Sequence, residues 1–269
     1  MTAWQKAIKY AAMAFAIFLC VSIIGGIFSF FSSFSIFFVG KNSVGEMKTY
    51  TVNGEITELH INIAASSFVI RNGDDFRVES NLKNLTVEEK NGTLTISEKK
   101  RYWGSYGGDV KLELYIPRDI IFDKVDFSSG AGTVDIENLT AESINFELGA
   151  GEVKIQNLIV LSKAKLDGGA GKITINGGSL SNLDFNMGVG ETSLTSRLSG
   201  SCDFDLGIGS TKLILIGQSD DYAIDVNKGL GEITVDGKKM SDGGVFGEGN
   251  NRIKIDGGIG EISVVFEED

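Results

Sequence analysis

The sequence predicts an all-β protein, a parallel β-helix or solenoid that follows an N-terminal transmembrane helix. Three observations support this prediction. The chain opens with a long uncharged apolar stretch, a Gly-x-Gly pair recurs seven times, and the residues around each pair alternate between apolar and polar. The chain also has 35 glycines but a single proline, which indicates many tight corners at defined places rather than long loops.

The apolar stretch covers residues 10–40 and contains no charged residue. As a helix it would be about 45 Å long, against roughly 30 Å of hydrocarbon in a bilayer, so it can span the membrane with a tilt. Lys6 and Lys9 precede it. The positive-inside rule then places residues 1–9 in the cytoplasm and the C-terminal body outside the cell membrane, after a linker at residues 41–49.

Three other interpretations of the N-terminal stretch remain open. A cleaved signal peptide would need a small-x-small site after a shorter apolar run, and no clear site is present. A lipoprotein would need small residues before its cysteine, whereas Phe18 and Leu19 precede Cys20. A hairpin that turns at Gly25 and Gly26 would keep the body inside, but its arms would be too short to span well.

The Gly-x-Gly pairs divide the second half of the chain into units. The first glycines of successive pairs are 19, 20, 19, 19, 22 and 29 residues apart. This spacing is typical of a repeat in which each copy forms one structural unit. The predicted corner glycines are Gly130, Gly132, Gly149, Gly151, Gly169, Gly171, Gly188, Gly190, Gly207, Gly209, Gly229, Gly231, Gly258 and Gly260.

Strand-like alternation surrounds every pair. The residues three and five positions before the first glycine are apolar in all seven copies, and the residues between and after them are polar. This period of two indicates strands with one buried face. The residue inside each pair is also apolar, and we interpret it as a corner residue that points into the core. These residues are Ala131, Ala150, Ala170, Val189, Ile208, Leu230 and Ile259.

A unit of about twenty residues cannot bury its apolar face alone, so the units are expected to stack into a solenoid. Successive strands would pair in parallel at about 4.8 Å. If the units stack in chain order, Cys202 lies in an apolar column between Leu183 and Ile224. We therefore predict that its thiol is packed in the core rather than reactive. The acidic residues 267–269 then lie on the last strand, where charge discourages the addition of another strand.

Residues 50–120 differ from the repeats that follow. Residues 76–117 contain runs typical of antiparallel strands, with a tight hairpin turn at Asn91 and Gly92. Residues 56–70 resemble an early coil whose corner is residues 64–67. We interpret 50–120 as opening coils plus a strand excursion that covers the start of the solenoid, and 121–269 as the β-helix of repeats.

Residues 114–155, which contain the runs GAGTVDI and GAGEVKI, resemble the bacterial putative-adhesin family of β-strand-repeat domains of unknown function, whose repeats carry the pattern G-[SA]-G-[DE]-[VI]-x-[VI]. The resemblance covers about residues 50–269. It implies a single-stranded, right-handed β-helix, in many members after an N-terminal membrane anchor, and it implies no catalytic residues. Lys172 and Ser210 stand where the family pattern has an acidic residue, which argues against a uniform acidic site.

Charge narrows the classes of partner. The formal net charge is −11, and because the first forty residues carry only two lysines, residues 41–269 carry −13. An acidic body argues against nucleic acid, whose affinity comes mostly from Lys and Arg on phosphates, and against docking on anionic lipid. The glycine pairs are not a dinucleotide fingerprint, because a strand rather than a helix is predicted after each pair.

Two sets of residues are candidates for binding. Tyr102, Trp103 and Tyr106 lie among glycines after three positive charges, a composition that suits recognition of a sugar or a protein, or an aromatic lid over the end of the solenoid. Glu147, Asp167 and Asp205 lie in one outward column and are a candidate row for weak divalent cation binding, or a solvated face.

The function expected from the sequence is binding or scaffolding without catalysis. The protein would be a single-pass membrane protein with an extracytoplasmic body, an adhesin or an envelope-associated, stress-related protein. Its partner would be an envelope protein or a glycan. No cofactor and no catalytic residue is expected; His60, the only histidine, is predicted to face outward without a recognisable catalytic partner. A glycan-acting β-helix enzyme and a self-polymerising scaffold are the alternatives.

Overall fold

The computed structural model describes residues 39–40, 44–98, 105–106 and 110–268, most of which lie in β-strands. The chain divides into two compact units, of which residues 45–101 and 110–269 form the larger. The smaller unit contains a parallel pair of short strands, β1 (Val39–Gly40) and β7 (Ser105–Tyr106).

The larger unit is built from one continuous β-sheet system that contains the other described strands. Towards the N-terminus these are β2 (Val44–Thr51), β3 (Glu58–Gly73), β4 (Arg77–Leu82), β5 (Leu85–Lys90), β6 (Thr93–Glu98) and β8 (Lys111–Pro117). The strands of the repeat region are β9 (Phe122–Ile175), β10 (Gly178–Ser181), β11 (Leu183–Ser199), β12 (Ser201–Ile216), β13 (Tyr222–Val235), β14 (Lys238–Lys239), β15 (Gly244–Phe246) and β16 (Asn251–Glu267). A short 3-10 helix spans Ser219–Asp221.

The repeats stack in parallel and in register, as the glycine spacing predicts. Gly190 of β11 lies opposite Gly171 of β9 on one side and Gly209 of β12 on the other. The 54 residues of β9 would extend about 180 Å as one straight strand. Instead β9 bends at its glycines, so that Gly149 lies on Gly130 and Gly169 on Gly149. The all-β solenoid predicted from the sequence is therefore confirmed.

The second glycine of pairs such as Gly149/Gly151 and Gly188/Gly190 is required by two independent constraints. Gly151 and Gly190 have φ values of +144° and +146°, a region that L side chains rarely adopt. A Cβ on either residue would also overlap the carbonyl oxygen of the corresponding glycine in the coil below, Gly132 or Gly171. The coils can thus approach at strand spacing at this corner only because no side chain is present there.

The core lies inside the coils and is built from columns of apolar side chains. Phe127 and Phe146 are nearly completely buried with ring centroids 5.5 Å apart, and Phe185 and Phe204 repeat the contact at 5.6 Å. Burying each phenylalanine contributes about 1.5–3 kcal/mol. Because every coil places its apolar residues at the same positions, each coil covers the apolar face of its neighbour.

The order of the last coils differs from the order along the chain. The C-terminal strand β16 pairs with β12 on one side and with β13 on the other, so β13 is the outer coil. Its outer edge is partly covered by β14 and β15, which run antiparallel to it. The expectation that residues 267–269 lie on the outermost coil is corrected: β16 is an interior layer over residues 251–264, Glu267 pairs with β12, and Asp269 lies outside the described residues.

The first coils are also out of sequence order. β3 lies between the start of β9 and a coil made of β6 and β8, all in parallel register. β5 and β4 then run antiparallel to β6 and β8 and cover this end. Asn91 and Gly92, both with positive φ, form the tight turn between β5 and β6. Antiparallel strands β4 and β5 therefore lie at this end of the stack, and β6 and β8 together supply a coil.

The residue inside each glycine pair does not point into the core. Met187 and Thr192 on either side of the Gly188–Glu191 corner are both buried, and the four residues between them bulge outward. Val189 at the crest is half-exposed, and Leu230 in the outer coil is 57% exposed. The prediction is wrong because the chain turns at the glycine pairs with an outward bulge, which two-residue alternation does not describe.

Cys202 is buried, as predicted, but its neighbours differ from the expected ones. Its partner in the next coil is Ile253 of β16, not Ile224, because β16 is inserted before β13. Burial is the main reason that the pKa of the thiol is raised. The prediction of a packed thiol is therefore consistent with its surroundings. The predicted neighbour in the apolar column is corrected from Ile224 to Ile253.

The predicted membrane segment lies outside the described residues, apart from Val39 and Gly40. Within residues 39–40, 44–98, 105–106 and 110–268, no helix is both long and apolar enough to cross a membrane.

Candidate binding groove on the outer face

The first strand of each coil presents two outward columns of polar side chains, because inward and outward residues alternate along it. Register places equivalent residues of neighbouring coils side by side, as with Asp184 and Asp203 or Asn186 and Asp205. The column nearer the strand start contains His60, Asp126, Asn145, Lys165, Asp184, Asp203, Lys254 and Asp225. The second contains Asn62, Ser128, Glu147, Asp167, Asn186, Asp205, Asp256 and Asn227.

In the middle of this face the polar side chains bind one another. The Asn186 amide donates hydrogen bonds to the carboxylates of Asp167, at 2.7 Å, and Asp184, at 3.0 Å. Lys165 pairs with the other oxygen of Asp167 at 2.7 Å. Most of the hydrogen-bonding capacity here is used within the face itself.

The same arrangement recurs towards the C-terminal end of the solenoid. Lys254 lies 2.5 Å from one oxygen of Asp256, and the Asn227 amide donates to the other oxygen. The hydrogen bond from Lys254, with that from Asn227, lowers the pKa of Asp256. Because these groups are largely exposed, the pairs fix side-chain positions more than they stabilise the fold.

At the N-terminal end the same face opens into a groove of about 270 Å³. It crosses four coils, from β6 through β3 to the first two coils of β9. Its polar lining consists of His60, Asn62, Thr95, Asp126, Ser128, Asn145 and Glu147. By contrast, two voids behind the corner glycines have volumes of about 20 and 10 Å³, space for little more than a water molecule.

One edge of the groove is formed by a charged cluster around His60. The Nε2 atom of His60 lies 3.4 Å from a carboxylate oxygen of Asp126 and 3.7 Å from one of Glu58, and it is enclosed without a hydrogen-bond partner among the described residues. Lys124 donates a hydrogen bond to Asp126 at 2.7 Å, which raises the pKa of Lys124. Glu58, Asp126 and Glu147 outnumber Lys124 and the nearby Lys165, which is itself paired with Asp167, and the groove favours positively charged or neutral ligands.

A second carboxyl group lies close to the start of the groove. Glu98, at the end of β6, accepts a hydrogen bond from the backbone N–H of Ala64 at 3.0 Å. Burial raises the pKa of Glu98, and the hydrogen bond opposes that shift. This contact ties β6 to β3 at the corner where the groove begins.

Several polar side chains inside the groove are open to solvent and have no hydrogen-bond partner among the described residues. Within the described part of the chain, none of five lining side chains makes a side-chain hydrogen bond. These are Asn62, Thr95, Ser128, Asn145 and Glu147. They offer amide, hydroxyl and carboxylate groups to a ligand without first breaking a contact inside the protein.

Of the predicted binding residues, Tyr102 and Trp103 lie outside the described residues. Tyr106 belongs to β7, and its backbone pairs with Gly40. Recognition by this aromatic segment stays a prediction.

Among the predicted cation ligands, Glu147 lines the groove, Asp167 is paired with Lys165 and Asn186, and Asp205 is exposed. In the described chain no three or more His, Cys, Asp or Glu side chains form a group suited to a metal ion. Weak cation binding along this row stays a prediction.

Residues 56–245 match the family model described as Toastrack DUF4097. The chain belongs to the Toastrack DUF4097 family. The match confirms the resemblance stated from residues 114–155. It ends before β16, so the strand that fills the interior position between β12 and β13 lies beyond the part that the family model matches.

Several solved structures are similar to this family member at low sequence identity. A putative cell adhesion protein from Clostridium sporogenes is 14% identical, with 82% of this chain and 99% of that chain covered and a TM-score of 0.37. A putative adhesin from Bacteroides fragilis is 15% identical, with 81% and 96% covered and a TM-score of 0.43. A putative lipid binding protein from Parabacteroides distasonis is 18% identical, with 84% and 98% covered and a TM-score of 0.34. The search of curated proteins found no match.

Sequence reasoning placed His60 on the outward face but did not find the groove around it. The available signal was the change in residue type along the two columns. Short or uncharged residues such as Asn62, Ser128 and Asn145 stand at the start, and mostly acidic residues, with Lys165 and Lys254 among them, follow. The groove also depends on β6 lying beside β3, and this neighbour comes from the out-of-order coil.

Proposed function

We propose that this protein is a membrane-anchored, extracytoplasmic β-solenoid that binds an envelope component, a glycan or a protein, without catalysing a reaction. The observation that carries the proposal is the groove of about 270 Å³ around His60, in which five polar lining side chains make no side-chain hydrogen bond within the described part of the chain. Solvent-accessible polar groups held at fixed positions in a concave, rigid surface favour ligand binding.

The solenoid suits a binding role because its sites are fixed by backbone pairing on both sides. Each groove residue sits on a strand between two neighbouring strands, so its position is defined without ordering a loop. The apolar residues 10–40 support an anchor that keeps the body at the membrane surface. The acidic charge of the body supports partners other than nucleic acid and anionic lipid.

The first test concerns location. The full-length protein is expected in the membrane fraction. Its body should be digested by protease added to cells whose outer envelope has been made permeable while the cytoplasmic membrane stays intact. Protection of the body until the cytoplasmic membrane is broken would contradict the proposed orientation.

The second test concerns binding. Full-length protein in detergent would be immobilised and incubated with solubilised envelope material, in parallel with two variants. One carries Asn145→Ala and Glu147→Gln in the groove, and the other replaces Tyr102, Trp103 and Tyr106 by alanine. Retention of a defined envelope component by the wild type, with loss in at least one variant, is the expected result. Equal retention by all three proteins would contradict specific binding at either place.

The groove also supports the second candidate, a glycan-acting enzyme. Asp126 and Glu147 are carboxylates and His60 is an imidazole, the groups that perform acid-base chemistry in glycan cleavage. Release of new reducing ends from envelope polysaccharide, abolished by Asp126→Asn, would favour this candidate over binding alone.

A further inference from the structure

We infer that the groove around His60 takes a saccharide that carries a protonated amine, lying along the axis of the solenoid. This inference rests on the proposed function and names the ligand class for that site. Three independent features of the groove lead to it: its unsatisfied polar side chains, its charge and its spacing.

The unsatisfied side chains match the hydrogen bonds that sugar hydroxyls make. A hydroxyl group both donates and accepts, and it is bound most effectively by groups that do one or the other in a fixed place. Asn62 and Asn145 offer both amide functions, Ser128 and Thr95 offer hydroxyls, and Glu147 accepts. None of the five makes a side-chain hydrogen bond in the described chain, so a ligand gains these contacts without competition from protein partners.

The charge of the groove selects among sugars. Asp126 and Glu147 line it, Glu58 adjoins it, and two nearby ammonium groups, those of Lys124 and Lys165, are already paired with Asp126 and Asp167. An acidic sugar would place its carboxylate among three others, which costs free energy. A sugar with a protonated amine would gain a charge-assisted hydrogen bond, the stronger kind.

The spacing of the groove suits a chain rather than a single ring. Thr95, His60 and Asp126 occupy the same position in successive coils, and Asn145 continues this column. Neighbouring coils are about 4.8 Å apart, close to the length that one pyranose adds to a β-linked chain. An oligosaccharide along the axis would therefore meet an equivalent set of polar groups at each residue.

Calorimetric titration of the full-length protein in detergent at mildly acidic pH tests the inference with four probes. These are a glucosamine tetramer, its N-acetylated counterpart, a galacturonate tetramer and pentalysine. The glucosamine tetramer is expected to bind at least about tenfold more tightly than the N-acetylated tetramer, because acetylation removes the charged donor. Galacturonate is expected not to bind. Tighter binding of pentalysine or of galacturonate than of the glucosamine tetramer would overturn the ligand class.

Two charge-neutral substitutions separate the groove from the general acidity of the face. Glu147→Gln removes one charge from the groove, and Asp203→Asn removes one from the same face several coils away. We expect about a tenfold loss of affinity for the glucosamine tetramer in Glu147→Gln and less than about twofold in Asp203→Asn. Equal losses would show diffuse attraction and overturn the inference. Both side chains are exposed, and a matching thermal midpoint for the two variants and the wild type confirms that each is folded.

Failure of this inference is distinguishable from failure of the proposed function. If no oligosaccharide binds while envelope material is still retained in a groove-dependent way, the ligand class is wrong and the binding role stands. If retention is also independent of the groove and of the aromatic segment, the binding role itself falls.

Discussion

At the scale of single residues, the corner glycines carry the strongest constraint in the fold. Gly190 combines a φ of +146° with an approach to Gly171 that leaves no room for a Cβ. Gly237, in the turn between β13 and β14, also has a positive φ, +72°, but an added Cβ there would meet nothing within 4 Å. Alanine at Gly237 would therefore report only the free-energy cost of the positive φ, whereas alanine at Gly190 would add the cost of a steric clash with Gly171.

Substitution by alanine at these two positions should give very different losses of stability. Gly237→Ala is expected to lower the free energy of unfolding by about 1 kcal/mol, the cost of placing a side chain in the left-handed region. Gly190→Ala adds a backbone collision that forces neighbouring coils apart, and we expect a loss of about 3 kcal/mol or more. Denaturant unfolding of the three proteins measures both values. Equal losses would contradict the proposed close packing of the coils.

Cys202 makes a second prediction at this scale. Burial raises the pKa of its thiol in the folded protein, whereas the thiol of an unfolded cysteine has a pKa of about 8.5. A pKa raised by folding means that the folded state favours the protonated thiol, so this stability is present below about pH 8.5 and is lost as the pH rises above it.

We expect the loss of stability at alkaline pH to be smaller when Cys202→Ala is present than when Cys202 is kept. Both proteins carry Cys20→Ser, so that Cys202 is the only cysteine that differs. Thermal unfolding between neutral and alkaline pH measures the difference. The native thiol should also react with a thiol reagent only at the rate of unfolding, because the side chain is 1% exposed. Rapid labelling of the folded protein would show that Cys202 is accessible and contradict this account.

At the scale of elements, the insertion of β16 between β12 and β13 cannot be predicted from the order of the strands along the chain. It places Ile208 beside Ile259, and Ile259 beside Leu230. Stacking in chain order would instead place Ile208 beside Leu230. All three residues are at outward corners, where a substituted cysteine is accessible to oxidation.

Paired cysteine substitutions can therefore establish the order of the coils. Neighbouring coils are about 4.8 Å apart and alternate ones about 10 Å, and a disulfide requires Cα atoms closer than about 7 Å. With Cys20→Ser, the pairs 208–259 and 230–259 should oxidise to intramolecular disulfides, and the pair 208–230 should not. Mass spectrometry of digested, non-reduced protein identifies the linked peptides. Efficient formation of a disulfide between positions 208 and 230 would show that the coils stack in chain order and would contradict the prediction.

At the scale of the whole solenoid, both ends of the parallel stack carry antiparallel strands. β4 and β5 cover the coil of β8 and β6, and β14 and β15 cover part of β13. An uncovered parallel edge would present unpaired backbone groups to another copy. The covering strands thus oppose the end-to-end polymerisation that was one alternative for this protein.

We expect the wild-type protein in detergent to show no concentration-dependent growth in mass. Replacing residues 238–246 by a glycine-serine segment of equal length removes β14 and β15 and exposes the outer edge of β13. This variant should associate, because a free edge strand recruits another. Light scattering coupled to size-exclusion chromatography measures both proteins, and filaments of the wild type in electron micrographs would contradict the prediction.

The extent of prediction from sequence differs between fold and site. The glycine corners, the parallel coils, the turn at Asn91 and the outward position of His60 all follow from local patterns, because glycine conformation and two-residue alternation are properties of a few adjacent residues. The groove does not follow, since its walls come from β6, β3 and β9, which are far apart in the chain.

The amino-acid sequence by itself determined the repeat, the strand faces and the place of the Gly-x-Gly corners, since each depends on the backbone freedom and polarity of neighbouring residues. Only the tertiary structure decided which coils are adjacent, that the corner residues face outward, and which polar side chains are left without partners. Neighbouring coils have nearly identical apolar faces, so local pattern does not distinguish one stacking order from another. The choice depends on loop lengths and packing across the whole solenoid.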